Sequence, residues 1–157
     1  MNKTKIKTYA YSILFDLVVC GVAGLLTSMG MDEYDLVEKP NLTPPDIVFP
    51  IMWTILYVLM GISSARIFML DNSKERNRSL IVYLLQLFFN FFWSILFFNF
   101  QAYAFSFFWL VALWVLILSM IIMFSRLDKL SAYLQIPYLL WVSFAGYLNL
   151  MVWLLNR

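Results

Sequence analysis

The hydrophobic pattern of this chain consists of long apolar stretches separated by short charged segments. Most of these stretches reach the roughly 20 residues that an α-helix needs to cross the hydrocarbon core of a bilayer. Between Arg78 and Arg126 lie 47 residues without a formal charge, which is too long for one span and predicts two, broken near residues 99–102. We therefore predict an all-α membrane protein with a single domain, residues 1–157, that forms a bundle of five transmembrane helices. The predicted spans cover about residues 6–29, 44–70, 79–100, 103–125 and 130–155.

Composition agrees with a membrane protein. Hydrophobic residues make up 63% of the chain, charged residues make up 13%, and the mean hydropathy is +0.81. These values lie well outside the range of soluble globular domains. The lipid bilayer is therefore the first predicted partner, and no nucleic-acid partner is predicted.

The distribution of cations predicts the orientation. With five spans, nine of the 11 Lys and Arg residues fall on one side of the membrane, and only Lys39 and Arg157 fall on the other. An excess of Lys and Arg marks the cytoplasmic side, so we expect a cytoplasmic N-terminus and an outside C-terminus in a bacterial plasma membrane. A cleaved signal peptide over residues 3–28 is an alternative, but its apolar run is long and residues 29–32 make a poor cleavage site.

Residue types that the chain lacks exclude several function classes. There is no histidine, and Cys20 is the only cysteine, so one chain cannot assemble a His/Cys metal site or a Ser-His-Asp or Cys-His catalytic group. No Gly-rich phosphate loop is present. Haem would need Met, Tyr or Cys20 as ligand, which disfavours a permanently bound haem. Conventional hydrolytic and redox enzymes are therefore poor hypotheses, and binding of a flat aromatic molecule stays open.

Polar and aromatic residues recur at helical spacing in three of the spans, so that each set lies on one helix face. The three stripes are Trp53, Tyr57 and Met60; Gln86, Asn90, Trp93 and Phe97; and Tyr138, Trp141, Ala145 and Asn149. Such stripes are suited to line a common cavity for a flat apolar ligand. Membrane-interface belts are the alternative explanation for tryptophan. We prefer the belts for Trp109, Trp114 and Trp153, whereas both explanations stay open for the tryptophans of the stripes.

The first span contains two further features. Asp16 is the only formal charge well inside a span, and an intramembrane carboxylate is a candidate for proton coupling. The alternative, which we prefer, is that Asp16 is protonated or hydrogen-bonded within the bundle. Cys20, Gly24 and Ser28 form a ridge of small residues, which predicts close helix packing.

Prolines cluster before and within the second predicted span. Thr43 is suited to cap a helix whose first residue is Pro44, where the missing N–H has no consequence. Pro50 then falls inside the helix and is predicted to bend it one turn before Trp53. Pro137 is predicted to perturb the fifth span in the same way.

Several motifs together resemble the TspO/MBR family, the tryptophan-rich sensory proteins related to the mitochondrial translocator protein. The matching segments are Lys39-Pro, Leu42-Thr-Pro-Pro, Val48-Phe-Pro, Trp53-Thr, Leu56-Tyr, Asn90-x-x-Trp, Pro137-Tyr-x-x-Trp, Phe144-Ala and Leu148-Asn. They occur in the family's order and cover nearly the whole chain.

The resemblance implies a five-helix bundle, often a homodimer, with a pocket that opens towards the first loop. It implies ligands such as protoporphyrin-type tetrapyrroles, sterols in animal members, and isoquinoline or benzodiazepine drugs. Some bacterial members degrade protoporphyrin in light with the help of pocket tryptophans, and the matching residues here are Trp53 and Trp141. The implied ligand-binding residues are Tyr34, Trp53, Tyr57, Asn90, Trp93, Trp141, Ala145 and Asn149, with no metal site. Leu42 departs from the tryptophan of many members, and the sterol motif of animal members is not matched after Asn149.

Three functions are therefore kept as hypotheses. The leading one is a membrane receptor or sensor that binds a tetrapyrrole, with light-dependent porphyrin breakdown and no tightly bound cofactor. The second is a small proton-coupled transporter of amphipathic or porphyrin-like substrates that uses Asp16. The third is a structural membrane subunit without a ligand.

Overall fold

The computed structural model of the protein describes residues 2–157, and every regular element in that range is a helix. The elements are α1 (Lys3–Ser28), α2 (Met31–Tyr34), α3 (Val48–Phe68), α4 (Lys74–Phe98), α5 (Tyr103–Leu127), α6 (Lys129–Leu134) and α7 (Ile136–Leu155). Helices α1, α3, α4 and α5 and the combined segment Lys129–Leu155 are long and apolar enough to cross a membrane. The predicted five spans are therefore confirmed.

The start of the second span was predicted wrongly. Helix α3 begins at Val48, and the Thr43 hydroxyl donates to the carbonyl of Pro40 (2.7 Å) instead of capping a helix. The reason is the Pro44-Pro45 pair, since a residue before proline is forced out of the α-helical region. Pro50 consequently lies in the first turn of α3. Backbone N–H groups in the first turn have no partner within the helix, so a proline there removes no helical hydrogen bond. The prediction that Pro50 bends an established helix is wrong.

The helix of the fifth span is interrupted, as the presence of Pro137 predicted. Helix α6 ends at Leu134 and α7 begins at Ile136, so that Gln135 separates them two residues before Pro137. A proline cannot donate to the carbonyl four residues earlier, and its ring clashes there. The break lies towards the end of the bundle opposite to the first loop, which comprises residues 29–47.

Helix α1 has the smallest buried share of the five spans, and two glycines set its position. At Gly61 of α3, an added Cβ would lie 2.6 Å from the Cα of Ile13 on α1. At Gly30, just after α1, an added Cβ would overlap the carbonyl oxygen of Phe98 on α4. Both contacts are closer than any side chain allows. Helix α1 therefore packs tightly on α3 near its middle, and the chain just after α1 packs tightly on the end of α4.

An ion pair fixes the end of the bundle opposite to the first loop. The Arg66 guanidinium on α3 donates from Nε to Oδ2 of Asp128 (2.6 Å) and from Nη2 to Oδ1 (3.0 Å). Asp128 also caps α6 by accepting from the backbone N–H of Ser131 (3.1 Å), and the Ser63 hydroxyl donates to the carbonyl of Ser131 (2.8 Å). The hydrogen bonds from Arg66 and Ser131 lower the pKa of Asp128 from its ordinary 3.8 to about 2.

This ion pair makes stability depend on pH. Because the folded-state pKa of Asp128 is lowered, its contribution is complete above its ordinary value of 3.8 and is lost as the pH falls towards about 2. We expect Asp128→Asn, which keeps a capping side chain, to lower the free energy of unfolding by about 1–3 kcal/mol at neutral pH. Thermal unfolding in detergent should show this difference between the wild type and the variant at pH 7, and the difference should shrink between pH 4 and pH 2. A difference that does not change with pH would contradict the assignment.

Candidate ligand-binding site

A cavity of about 430 Å³ lies in the half of the bundle that carries the first loop. Helices α1, α3, α4 and α7 form its walls, and Met31 and Tyr34 of α2 cover it. The structure places all eight predicted ligand-binding residues around this one cavity: Tyr34, Trp53, Tyr57, Asn90, Trp93, Trp141, Ala145 and Asn149. The volume falls in the range of about 300–1,000 Å³ that is usual for small-molecule pockets.

The walls of the cavity are mainly aromatic. The ring of Trp53 lies 6.1 Å from that of Tyr57 and 6.3 Å from that of Trp93, measured between centroids. On another side, Phe49 meets Trp141 edge to face at 6.0 Å. Tilted and edge-to-face contacts of this kind stabilise aromatic clusters and leave ring faces available for a ligand.

Asn149 holds one of these aromatic rings in place. Its Oδ1 accepts from Nε1 of Trp93 (3.0 Å) and from the hydroxyl of Ser106 (3.0 Å), and its Nδ2 donates to the carbonyl of Tyr103 (2.8 Å). The side chain is completely buried. Asn149 thus joins α4, α5 and α7 and fixes the orientation of the Trp93 indole.

Two N–H donors at the cavity have no hydrogen-bond partner among residues 2–157. They are Nδ2 of Asn90, a residue that is 3% exposed, and Nε1 of Trp141. A buried donor without a partner costs about 1–3 kcal/mol. Both donor atoms are themselves buried, so a ligand acceptor in the cavity would reach them only after the Asn90 or Trp141 side chain rotates towards it.

The first loop closes the cavity and is held at several points. Tyr34 is 5% exposed, and its ring packs on Phe97 (5.5 Å) and Phe98 (5.0 Å). Burial chiefly, together with nearby Tyr103 and acidic groups, raises the pKa of Tyr34 to about 12, so its phenol stays neutral. Lys39 lies over the Tyr34 ring at 4.3 Å from the centroid.

A second set of contacts ties this loop to the ends of other helices. The backbone N–H of Glu38 donates to Oδ1 of Asn156 (3.1 Å), and Nδ2 of Asn156 donates to the carbonyl of Glu38 (2.9 Å). Gln101, in the turn between α4 and α5, donates to the Glu33 carboxylate. The loop is therefore attached both to the end of α7 and to the turn after α4.

Comparison with known proteins assigns the family. The family model described as "TspO/MBR family" matches residues 12–154. The chain belongs to the TspO/MBR family. It is 35% identical to Protein CrtK of Rhodobacter capsulatus over 93% of this chain and 92% of the relative, and 38% identical to tryptophan-rich protein TspO of Chlorobaculum tepidum over 78% of each. It is also 30% identical to the translocator protein of Sus scrofa over 89% of this chain and 87% of that protein. The five apolar helices and the bacterial relatives identify this TspO/MBR protein as a multi-pass protein of the bacterial plasma membrane.

The sequence analysis missed the part of the site that α1 contributes in this TspO/MBR protein. The ridge of Cys20, Gly24 and Ser28 lines the cavity, so the prediction of close helix packing there is wrong. A Cβ added at Gly24 would meet no atom within 4 Å. Small residues at helical spacing fit both a tight helix contact and an open cavity wall, and the sequence offers no signal that separates the two. Other lining residues that were missed are Gly21, Ala23, Thr27, Met31, Asp46, Phe49, Pro50, Thr54, Ser94, Phe98, Phe144 and Leu148.

Some members of the predicted stripes lie below the cavity. The hydroxyl of Tyr138 donates to Oε1 of Gln86 (2.6 Å), whose Nε2 lies 3.8 Å from the sulfur of Met60. All three side chains are completely buried and do not line the cavity. Each stripe therefore supplies lining residues at one end and a packed floor at the other.

The remaining candidates lie away from the cavity. Asp16 is completely buried and accepts a hydrogen bond from the Tyr83 hydroxyl, as the preferred structural alternative predicted. Trp109 donates to the carbonyl of Phe89 (2.8 Å), and Trp114 donates to the hydroxyl of Ser143 (2.8 Å). Trp153 packs against phenylalanine rings of α5. Consistent with the sequence analysis, Trp109, Trp114 and Trp153 are not cavity residues.

The two buried asparagines should respond differently to the same substitution. Asn149→Leu leaves the Trp93 indole N–H without its partner, so we expect a loss of about 2 kcal/mol in the free energy of unfolding. Asn90→Leu removes an amide whose Nδ2 has no partner, so stability should change less. Denaturation of both variants in the same detergent measures this contrast. Equal losses would show that the hydrogen bonds of Asn149 do not hold the α4–α5–α7 contact together.

Proposed function

We propose that this protein is a membrane receptor or sensor that binds protoporphyrin-type tetrapyrroles in the cavity beneath the first loop. The observation that carries the proposal is a cavity with mainly aromatic walls, formed by Trp53, Tyr57, Trp93 and Trp141 from three spans. A flat conjugated macrocycle gains contact area and ring stacking from such walls. Isoquinoline and benzodiazepine compounds share this flat aromatic character, so they are proposed ligands of the same cavity.

The polar groups of the site favour a metal-free porphyrin. The chain has no histidine, which is a common axial ligand of haem iron. If the side chains of Asn90 and Trp141 rotate towards the cavity, their unpaired N–H groups can donate to carboxylate or carbonyl oxygens of a ligand. A porphyrin provides both a planar apolar ring and propionate carboxylates.

We further propose that bound protoporphyrin is degraded in light. The excited porphyrin is the photosensitiser, dioxygen is the oxidant, and Trp53 and Trp141 act as electron donors or as traps for reactive oxygen species. Both indoles line the cavity and are in contact with other aromatic rings, which brings them within reach of a ring bound there.

The binding test is a titration of protoporphyrin followed by its absorption spectrum, which does not depend on protein fluorescence. We expect Trp53→Phe and Trp141→Phe each to weaken binding about tenfold, which corresponds to about 1.4 kcal/mol. Trp153→Phe is the matched control, because Trp153 is partly buried but does not line the cavity. Equal affinities for all four proteins would rule out the proposed pocket.

Turnover is tested by illumination of the complex. We expect the porphyrin absorption band to decay faster with the wild type than with Trp53→Phe or Trp141→Phe at equal occupancy. Removal of dioxygen should stop the decay. If the decay rate is the same for free and bound porphyrin, the photochemical part of the proposal fails while the binding part stands.

Asp16 supports transport as a second candidate function. Its Oδ1 is buried without a hydrogen-bond partner among residues 2–157, and unsatisfied intramembrane carboxylates are typical of proton-coupled carriers. The receptor proposal is preferred because Asp16 does not line the cavity. Porphyrin flux into proteoliposomes that depends on a proton gradient, and that Asp16→Asn abolishes, would favour the transporter instead.

A further inference from the structure

We infer that ligands enter the cavity sideways from the bilayer, through a gap between α1 and α3 that we call the lateral portal. Its rim consists of Gly21, Gly24 and Ser28 on α1 and of Pro50 and Thr54 on α3. These residues line the cavity, and each of them is exposed. The inference rests on the proposed function only in naming the ligand class, a hydrophobic molecule dissolved in the hydrocarbon of the leaflet nearer the first loop.

The portal follows from the way α1 is held at two points. Near the middle of α1, Ile13 meets Gly61 of α3, and just after the end of α1, Gly30 is pressed against the last residue of α4. Asn99, after α4, also donates from Nδ2 to the carbonyl of Leu26 (2.8 Å). Helix α1 is therefore fixed to α3 at mid-span and to α4 at its C-terminal end, and its cavity-lining residues, 20–28, lie between these two points.

Both rims of the portal carry little side-chain volume. Because α1 and α3 run antiparallel and meet at Ile13 and Gly61, Gly24 lies at about the level of Pro50. A Cβ added at Gly21 or Gly24 would meet no atom within 4 Å. The Thr54 hydroxyl donates only to the carbonyl of Pro50 in its own helix (2.7 Å), so it forms no bond across the gap.

The route beneath the first loop is closed more firmly. That route requires the loop to leave Asn156, which holds the peptide groups on both sides of Glu38, and requires Tyr34 to leave the rings of Phe97 and Phe98. It also passes the charged carboxylate of Asp46 at the cavity. A hydrophobic molecule already concentrated in the bilayer meets none of these barriers at the portal.

The natural sequence provides a reporter of the entry route. Cys20 is the only cysteine, and it lines the cavity. The rate of its alkylation in proteoliposomes therefore measures access to the cavity, without any porphyrin. An uncharged maleimide that partitions into the bilayer reports the lateral route, and a permanently charged, water-soluble methanethiosulfonate reports the route beneath the loop.

The decisive variant is Thr54→Phe, which adds a ring to the α3 side of the portal. Thr54 lies at about the level of Cys20, so direct shielding of the thiol by the new ring would slow both reagents, whereas closure of the portal slows only the bilayer-soluble one. We expect it to slow alkylation by the bilayer-soluble maleimide about tenfold and to leave the slow reaction with the charged reagent unchanged. Ile55→Phe is the matched control, because Ile55 is the next residue of α3, is 49% exposed, and does not line the cavity. Full labelling of each protein in sodium dodecyl sulfate, together with wild-type helix content and elution volume, confirms that the thiol is intact and the protein is folded.

A variant of the loop contact distinguishes the two routes. Asn156→Ala should accelerate the charged reagent and have little effect on the bilayer-soluble one. The inference is overturned if Thr54→Phe and Ile55→Phe react equally fast with the bilayer-soluble maleimide, or if Asn156→Ala accelerates both reagents to the same extent. Because neither reagent is a porphyrin, failure of tetrapyrrole binding and failure of the lateral portal would be seen in different experiments.

Discussion

The absence of hydrogen-bonding solvent in the bilayer interior is the constraint on which this structure depends. Every polar side chain within a span must find a partner inside the protein or remain unsatisfied at a cost of about 1–3 kcal/mol. Asn149 meets this requirement with three hydrogen bonds that join α4, α5 and α7. Tyr138 meets it through Gln86. Asp16 meets it in part, because its Oδ2 accepts from Tyr83 whereas its Oδ1 has no partner among residues 2–157. These directional contacts fix the relative rotation of the helices, which apolar packing among lipid-like side chains cannot do alone.

The cavity follows from the same constraint, because the polar contacts lie beneath it and beside it. Tyr138, Gln86 and Met60 form a floor that is completely buried, and Asn149 fixes Trp93 in the wall. Above the floor the helices are spaced by aromatic rings on α3, α4 and α7 and faced by small residues on α1. Large rings opposite glycines leave a volume that no protein side chain fills. Asn90 and Trp141, whose buried N–H donors lack partners among residues 2–157, belong to the residues that line this volume.

Much of this arrangement could be predicted from the sequence because the relevant signals are local. The lengths of the stretches without charged residues predicted the five spans. The spacing of Trp53 with Tyr57, and of Asn90 with Trp93, predicted which face of each helix turns inward. Two features were not predicted correctly. The start of α3 was misplaced because the restriction imposed by Pro45 on Pro44 outweighs the capping tendency of Thr43. The role of the small residues on α1 could not be predicted, because Gly24 faces open space whereas Gly61 touches another backbone, and both are glycines on apolar helices.

The two ends of the bundle differ in the contacts that link one helix to another. At the end opposite to the first loop, Arg66 and Asp128 form a bidentate pair, and Ser63 bonds to Ser131, so that α3 is linked to the chain at the start of the fifth span. At the other end, the cross-links come from the contacts of the first loop with Asn156 and Gln101 and from Asn99, which donates to the carbonyl of Leu26 on α1. None of these contacts bridges α1 and α3. Rearrangement on ligand binding requires the fewest broken contacts where helices are linked only through a loop. We therefore expect the helices to adjust to a ligand in the half that contains the cavity, while the Arg66–Asp128 end keeps the register of the spans.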